Sequence, residues 1–373
     1  LVTLHPREIE LGCERVGKVW TALGGGRPAP AIVSVAGTNG KGSCVAVLEG
    51  LARGAGIPAA AYTSPHLLRF NERMRIGGRP AADIEMIAVL EEVEAARGDV
   101  PLTFFEFTTL AAFRLFATKE VELAFLEVGM GGRLDAVNLL DPDVAVVTSI
   151  GLDHCEWLGS DRESIGFEKA SIFRENAYSI CSDENPPASV RRLAQGTRAH
   201  FAGEDFCWSR EEGGGWHWQG RDARGGTLEH TGLPRPRLAE ESAAAALQAW
   251  HCLGQSAERP VLEAGLAATL PGRRDCRFVK GRQFILDGAH NPSAGCHLAR
   301  WLAEECGAVP IAAVCGMLKD KDCQGFAEAL GETVGPWYLA APAGQSRALP
   351  GAALAAVFRK AGCEVRGVHD SVA

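Results

Sequence analysis

The 373-residue sequence contains no run of 18 apolar residues, so no segment has the length and character of a membrane-spanning helix. It also lacks a basic excess. Lysine and arginine number 38 against 46 aspartates and glutamates, a net charge of −8, which argues against the basic face of a nucleic-acid binder. An anionic ligand must then be held by local groups rather than by the field of the whole chain. The 12 cysteines are scattered and include no C-x-x-C pair, which favours reduced thiols in a cytoplasmic protein over a disulfide framework. No internal repeat or low-complexity tract is present. The opening "LVTLHPREIE" has acidic residues, no signal-like apolar core and no initiator Met, and reads as a trimmed start.

What is present is ordinary globular composition, 46% hydrophobic and 23% charged, at a length that predicts two domains. Ala31 to Ala36 reads as a buried strand ending in a glycine loop. In "SCVAVLEGLARGAG", Val45, Leu48 and Leu51 fall at helical spacing, and Gly54 and Gly56 stop the helix. "IPAAAYTS" predicts a second strand ending near Ser64, which completes a βαβ unit. "VELAFLEVGMGG" and "DVAVVTSIGLDH" are two more β-rich runs. Their polar ends, Glu127 and Asp153–His154, fall where parallel α/β sheets gather ligand groups. Residues 176–236 predict short antiparallel strands, "AEESAAAALQAWHCLG" a helix, and Thr269–Arg277 a hinge. Strand–helix alternation then restarts from "QFILDGAHNP". The expected fold is α/β: a P-loop-type, mostly parallel sheet ATPase domain over 1–274, followed by a smaller Rossmann-like α/β domain over 275–373. The second sheet is expected to stop short of its edge.

"VAGTNGKGS", Val35 to Ser43, misses the general phosphate-loop spacing G-x-x-x-x-G-K-[ST]. Gly37 stands only three residues before Gly40, and Ser43 follows an extra Gly42. Its glycines, with Thr38 and Asn39, let backbone N–H groups turn toward an anion at a helix N-terminus; Lys41 can reach phosphates and Ser43 can touch Mg²⁺. A glycine-rich strand–helix turn with an exposed lysine is the plainer alternative. Glu127 supplies the hard oxygen that Mg²⁺ requires. Gly129, Gly131 and Gly132 half-resemble a dinucleotide fingerprint, although a tight turn explains them better. Taken singly, His154 reads as a structural histidine, Ser64 as a strand-end hydroxyl, and Lys169 as a solvated lysine on an amphipathic helix.

The ordered set "VAGTNGKGS", "TSPHLLRFNERMRIGG", "TFFEFTTLAAFRLF", "LEVGMGGRLDAVN", "TSIGLDHCEWLGSDRESIGFEKASIF", "LPGR" and "LDGAHNPSA" is more specific. From about Leu4 to Tyr338 the chain closely resembles the bacterial bifunctional dihydrofolate synthase/folylpolyglutamate synthase family of the Mur ligase superfamily. The short loop G-T-N-G-K-G-[ST] is that superfamily's own P-loop, and "SPHL…FNER" with "GGRLDA" separates the folate branch from the cell-wall ligases.

The resemblance implies an ATP-dependent amide ligase of folate biosynthesis and one-carbon metabolism. It would join L-glutamate to dihydropteroate or a (tetrahydro)folate through an acyl phosphate, as a cytoplasmic monomer with no nucleic-acid or membrane partner. Gly37, Thr38, Asn39, Gly40, Lys41, Gly42 and Ser43 would bind ATP, with Arg273 and Asp287 contacting it across the domain boundary and His290 and Asn291 in the same segment. Ser64, Glu127 and His154 match ligands of two Mg²⁺ ions, and Lys169 matches a lysine carbamylated by CO₂. Lys41, Glu127, His154 and Lys169 are thus the implied catalytic set. Thr103, Phe104, Phe105, Glu106, Leu134, Asp135 and Ala136 match pterin-contacting segments, which Thr3 and His5 would border. Phe105 would lie against the pterin ring and Asp135 would hydrogen-bond its polar edge. Three departures stand out: Ser242 occupies the place of an ATP-contacting Asn, "FEKAS" replaces "REKAG", and family members continue a few dozen residues further. The competing expectations are a cell-wall Mur-type amino-acid ligase and a catalytically degenerate ATP-binding paralogue.

Overall fold

β1 (Ala31–Ala36) is buried over five of its six residues, as a strand covered on both faces must be. It belongs to an eight-stranded sheet with β2 (Ala59–Tyr62), β3 (Met74–Ile76), β4 (Arg79–Pro80), β5 (Leu123–Glu127), β6 (Val144–Val147), β7 (Tyr178–Cys181) and β8 (Arg198–Phe201). The order is β4-β3-β2-β5-β1-β6-β7-β8. All neighbours are parallel except β2–β3 and β3–β4. The computed structural model describes residues 10–371. Thr3 and His5 lie outside the described residues.

Strand alternation divides the side chains between two cores. Ile32, Tyr62, Leu126 and Val147 join the core that also takes residues of α1 (Glu14–Ala22), α3 (Asp83–Arg97), α4 (Phe104–Thr118) and α6 (Arg162–Ala170). Val33, Val35, Phe125 and Val146 join the core of α2 (Lys41–Gly54), α8 (Glu240–Cys252) and α9 (Arg259–Leu266). Two short helices, α5 (Cys155–Leu158) and α7 (Ala188–Leu193), complete the connections.

The expectation for residues 176–236 needs correction. β7 and β8 are parallel strands of the main sheet, joined by α7. Only β9 (Cys207–Arg210), β10 (Trp216–Arg221) and β11 (Thr227–Leu233) form an antiparallel sheet, which sends Trp216, Trp218 and Leu233 into the α2–α8 core. Strands as short as β7 and β8 carry too few residues for periodicity to reveal their partners.

The chain divides into two compact units, one running to Ile150 and resuming over Leu158–Phe284, the other made of Gly151–Trp157 and the residues from Ile285 onward. β12 (Asp275–Val279) pairs with β13 (Arg282–Leu286) in a two-stranded sheet. The strand expected to open the second α/β sheet is thus spent in a hairpin. Lys280 and Gly281 both have positive φ, +49° and +76°, the geometry of a tight two-residue reversal. The second unit's sheet has the order β14 (Ala313–Cys315), β15 (Trp337–Ala340), β16 (Val365–His369), all parallel. Its helices α10 (Pro292–Cys306), α11 (Cys323–Leu330) and α12 (Gly351–Lys360) bury Leu302, Phe326 and Phe358 with Trp337 and Leu339.

Candidate active site

Strand order, not sequence proximity, assembles the site. β2, β5, β1 and β6 are consecutive parallel neighbours, with Tyr62 opposite Leu126, Val35 opposite Glu127 and Ala36 opposite Val147. Their carboxyl ends therefore deliver Ser64, Glu127, the glycine loop and Thr148–Ser149 side by side, at the edge where open α/β sheets bind ligands.

The loop closes onto α2 through Gly40, the helix N-cap, at φ +90°. Thr148 Oγ1 donates to the carbonyls of Asn39 (2.6 Å) and Ala36 (3.2 Å), Thr38 N–H donates to Ser149 O (2.7 Å), and Asn39 N–H to Ser149 Oγ (3.0 Å). Lys41 Nζ folds back on the loop, donating to the carbonyls of Gly37 (2.9 Å) and Thr38 (3.3 Å). Ser43 is buried in the first turn of α2. The expected Ser242 is fully buried, and a Cβ at Gly40 would meet its hydroxyl at 2.5 Å. It therefore lies beneath the loop, and its Oγ has no hydrogen-bond partner among the described residues. Thr148 and Ser149 carry the loop but drew no assignment from the sequence; their signal was a polar pair ending an apolar strand.

Glu127 is buried, and its Oε2 accepts the Ser64 N–H at 3.0 Å. Burial raises its pKa, against the opposing pull of Lys41, the Ser64 N–H, Arg273 and Arg75. Arg273 stands near enough to act on Glu127 by charge, and its own N–H closes a turn on Leu270 O (3.0 Å). Among the described residues no three His, Cys, Asp or Glu side chains converge as a metal cage. Mg²⁺ does not need one, since it keeps waters and uses one or two carboxylates plus substrate phosphates. Ser64 and Glu127 fit that donor set, and Gly42 leaves the room: a Cβ there would lie 3.5 Å from Glu127 Oε2.

The residues expected to contact a pterin lie on α4 and the loop after β5. Thr103 and Glu106 form a capping box, with Thr103 N–H donating to Glu106 Oε2 (2.8 Å) and Glu106 N–H to Thr103 Oγ1 (3.3 Å). The T-x-x-E pattern in "TFFE" is the sequence signal for that structural duty. Arg15, missed from sequence, pairs with buried Glu106 at 2.7 Å. Phe104 lies under the Arg73 guanidinium, 5.2 Å from its ring centre. Phe105 faces Tyr62 at 5.9 Å and presses on Gly129, where a Cβ would come within 2.5 Å of the ring. Leu134 O accepts the Gly12 N–H at 3.0 Å, and Ala136 is buried. Asp135 Oδ2 accepts Met130 N–H and Oδ1 accepts Val137 N–H, each at 2.9 Å. Burial pushes its carboxyl up to about 6, against those N–H groups. The carboxylate expected at the pterin edge thus also caps its own loop.

Lys169 is 4% exposed, so the solvated-surface alternative does not hold. Its helix ends against the Gly129–Gly132 turn after β5: a Cβ at Gly132 would lie 2.6 Å from Glu168 O and 2.9 Å from Lys169 O. His154 falls in the second unit, with a left-handed φ of +52°. Its neighbour Asp153 is gripped within that unit by Lys321 Nζ (2.6 Å) and His290 Nε2 (3.2 Å). Burial works to raise the Asp153 pKa, but these hydrogen bonds and the charges of His154 and Lys321 hold it well below the usual carboxylate range. Asn291 caps α10 by accepting the Ala294 N–H (2.9 Å), and Asp287 accepts the Ala289 N–H (2.8 Å). Lys321 went unnoticed in the sequence, where 168 residues separate it from Asp153.

Two protein families match the chain: the Mur ligase middle domain over residues 35–203 and the Mur ligase, glutamate ligase domain over residues 272–373. The dihydrofolate synthase/folylpolyglutamate synthase of Escherichia coli (strain K12) is 42% identical over 347 residues, covering 91% of this chain and 80% of that protein. A solved structure of E. coli FolC in complex with DHPP and ADP superposes with a TM-score of 0.91 at 39% identity, covering 99% of this chain and 87% of the other. The bifunctional folylpolyglutamate synthase/dihydrofolate synthase of Yersinia pestis c092, complexed with AMPPNP and Mn ion, gives 0.89 at 40% identity, with coverage of 99% and 87%. At this identity and coverage the chain belongs to the dihydrofolate synthase/folylpolyglutamate synthase family of Mur ligases.

Proposed function

We propose that the chain is an ATP-dependent ligase joining L-glutamate to 7,8-dihydropteroate, to a (tetrahydro)folate, or to both. The substrate carboxylate attacks the γ-phosphorus of ATP and expels ADP. The resulting acyl phosphate takes the amine of glutamate, forming the amide and releasing phosphate. The observation that carries this reading is the short phosphate loop laid beside the buried carboxylate Glu127 by the neighbouring strands β1 and β5.

In this reaction the loop N–H groups from Gly37 to Ser43 cradle the phosphates, and Lys41 leaves its loop carbonyls to neutralise charge on the transferring group. Ser64 and Glu127 would hold a divalent cation with the nucleotide. That cation, when bound, screens the phosphate charge from the incoming carboxylate. A second Mg²⁺, His154 as a further ligand and carbamylated Lys169 belong to the same proposal, supported by their place in the family pattern. Arg273, Asp287, His290 and Asn291 are proposed to complete the ATP site. Phe105 and the 134–136 turn are proposed to face the pterin. We place the reaction in the cytoplasm, a setting that the scattered cysteines, with no C-x-x-C pair among them, support. The deciding experiment is phosphate release on omission of each component: it should require ATP, Mg²⁺, dihydropteroate or folate, and glutamate together. Release at the same rate without glutamate would sink the ligase reading.

A further inference from the structure

We propose that Arg75 is a positioning residue for the Ser64–Glu127 pair, acting as a clamp between the P-loop helix and the end of β2. The inference rests on the reading of Ser64 and Glu127 as the site of the metal-bound nucleotide. Arg75 lies on β3 opposite Ala61, with its side chain 13% exposed. Its Nε donates to both carboxylate oxygens of Glu49, at 3.1 and 3.0 Å, and its Nη2 donates to the same carboxylate. Its Nη1 donates to Thr63 Oγ1 (2.8 Å) and to the carbonyl of Glu72 (2.9 Å).

Each partner belongs to a different piece of the site. Glu49 is on α2, about two turns beyond Lys41. Glu72 is in the turn Phe70–Arg73. Thr63 immediately precedes Ser64, whose N–H reaches Glu127. One planar guanidinium therefore sets the distance from the P-loop helix to the Ser64 turn. Lysine cannot do this, because an ammonium lacks the fixed fork of donors. A buried ion pair adds little net stability compared with apolar side chains of similar volume, so the pair is poorly explained as mere cement. Glu49 also neutralises Arg75, which keeps an uncompensated cation away from the place where Mg²⁺ would bind.

The test uses Thr63→Val, which removes one clamp hydroxyl and keeps the Glu49–Arg75 pair, Arg75→Lys, and Glu127→Gln as a control. Free Mn²⁺ is followed by electron paramagnetic resonance during titration into protein with AMPPNP, alongside thermal unfolding and the KM for ATP. Both clamp variants should weaken Mn²⁺ binding by about tenfold, the lower end for groups supporting a metal ligand. Thr63→Val should do so with an unfolding temperature close to wild type. Mn²⁺ binding at wild-type strength in Thr63→Val overturns the clamp, and that variant decides alone if Arg75→Lys fails to fold. Weak binding in Glu127→Gln with normal binding in Thr63→Val discards the clamp and keeps the metal site. Normal binding in Glu127→Gln discards both.

Discussion

The hydroxyl of Thr148 fills the space that a side chain at position 37 would need: a Cβ on Gly37 would lie 1.9 Å from Thr148 Oγ1. That hydroxyl cannot withdraw freely, because it donates to the carbonyls of Asn39 and Ala36. Gly37 also has a φ of +149°, which a side chain disfavours. Gly37→Ala should displace the loop and lower ATP-dependent turnover by about 100-fold, the scale of a misplacement near 1 Å. Adding Thr148→Ala should recover part of the loss, since the clash is relieved and the backbone strain is not. Steady-state kinetics with calorimetric nucleotide binding measure both; a Gly37→Ala enzyme with normal ATP affinity contradicts the geometry.

Gly129 tests the pterin assignment. Its φ is not in the left-handed region, so substitution acts through space alone, and a Cβ would lie 2.5 Å from the Phe105 ring. Gly129→Ala should push Phe105 and raise the KM for dihydropteroate about tenfold, the effect of one methyl group in a fitted pocket. The KM for ATP should stay near wild type. Equal increases in both KM values would place Phe105 outside the pterin site.

Lys169 is almost wholly buried, a costly place for an ammonium and a suitable one for a carbamate that can serve a cation. Protein equilibrated with ¹³C-bicarbonate should give a carbamate carbon signal that is absent from Lys169→Ala. Depleting CO₂ should slow the wild type, and Lys169→Ala should lose about 100-fold in turnover irrespective of bicarbonate. A wild-type spectrum without the signal removes the modification from the mechanism.

His251 supplies a pH dependence far from the phosphate chemistry. It is 4% exposed, stacks on Trp218 at 5.0 Å and shares an Nε2–Nε2 hydrogen bond of 3.0 Å with His230. Burial depresses its pKa to about 4, helped by the charge of His230 and opposed by that of Asp222. A histidine with a folded pKa below its unfolded value stabilises the fold above the unfolded pKa and loses that contribution as pH falls. The window runs from 6.5 down to about 4, a difference worth about 3 kcal/mol. Urea unfolding of the wild type should weaken across that window, and His251→Phe should weaken less. Identical slopes for the two would assign the acid sensitivity elsewhere.

The first β-loop-α unit was legible because its determinants are local. An apolar run, a glycine at the turn and helical spacing at Val45, Leu48 and Leu51 lie within a few residues of one another, and the strand and helix formed there. Glu127 was legible as a polar residue ending an apolar strand. The hairpin at Lys280–Gly281 was not, because a lysine at positive φ is not a usual turn signal. Nor were β7 and β8, whose four residues each fit a sheet of either sense.

By itself, then, the sequence determined the first β-loop-α unit, its glycine loop and the family, all of which rest on short-range patterns or on the order of motifs. Only the tertiary structure decided that β5 and β6 flank β1, so that Glu127 and Thr148 meet the loop. It alone decided that Arg75 spans Glu49 and Thr63, and that Lys321 grips Asp153. Lateral strand order and buried ion pairs are set by which apolar faces cover one another over the whole fold, and no local stretch of residues carries that information.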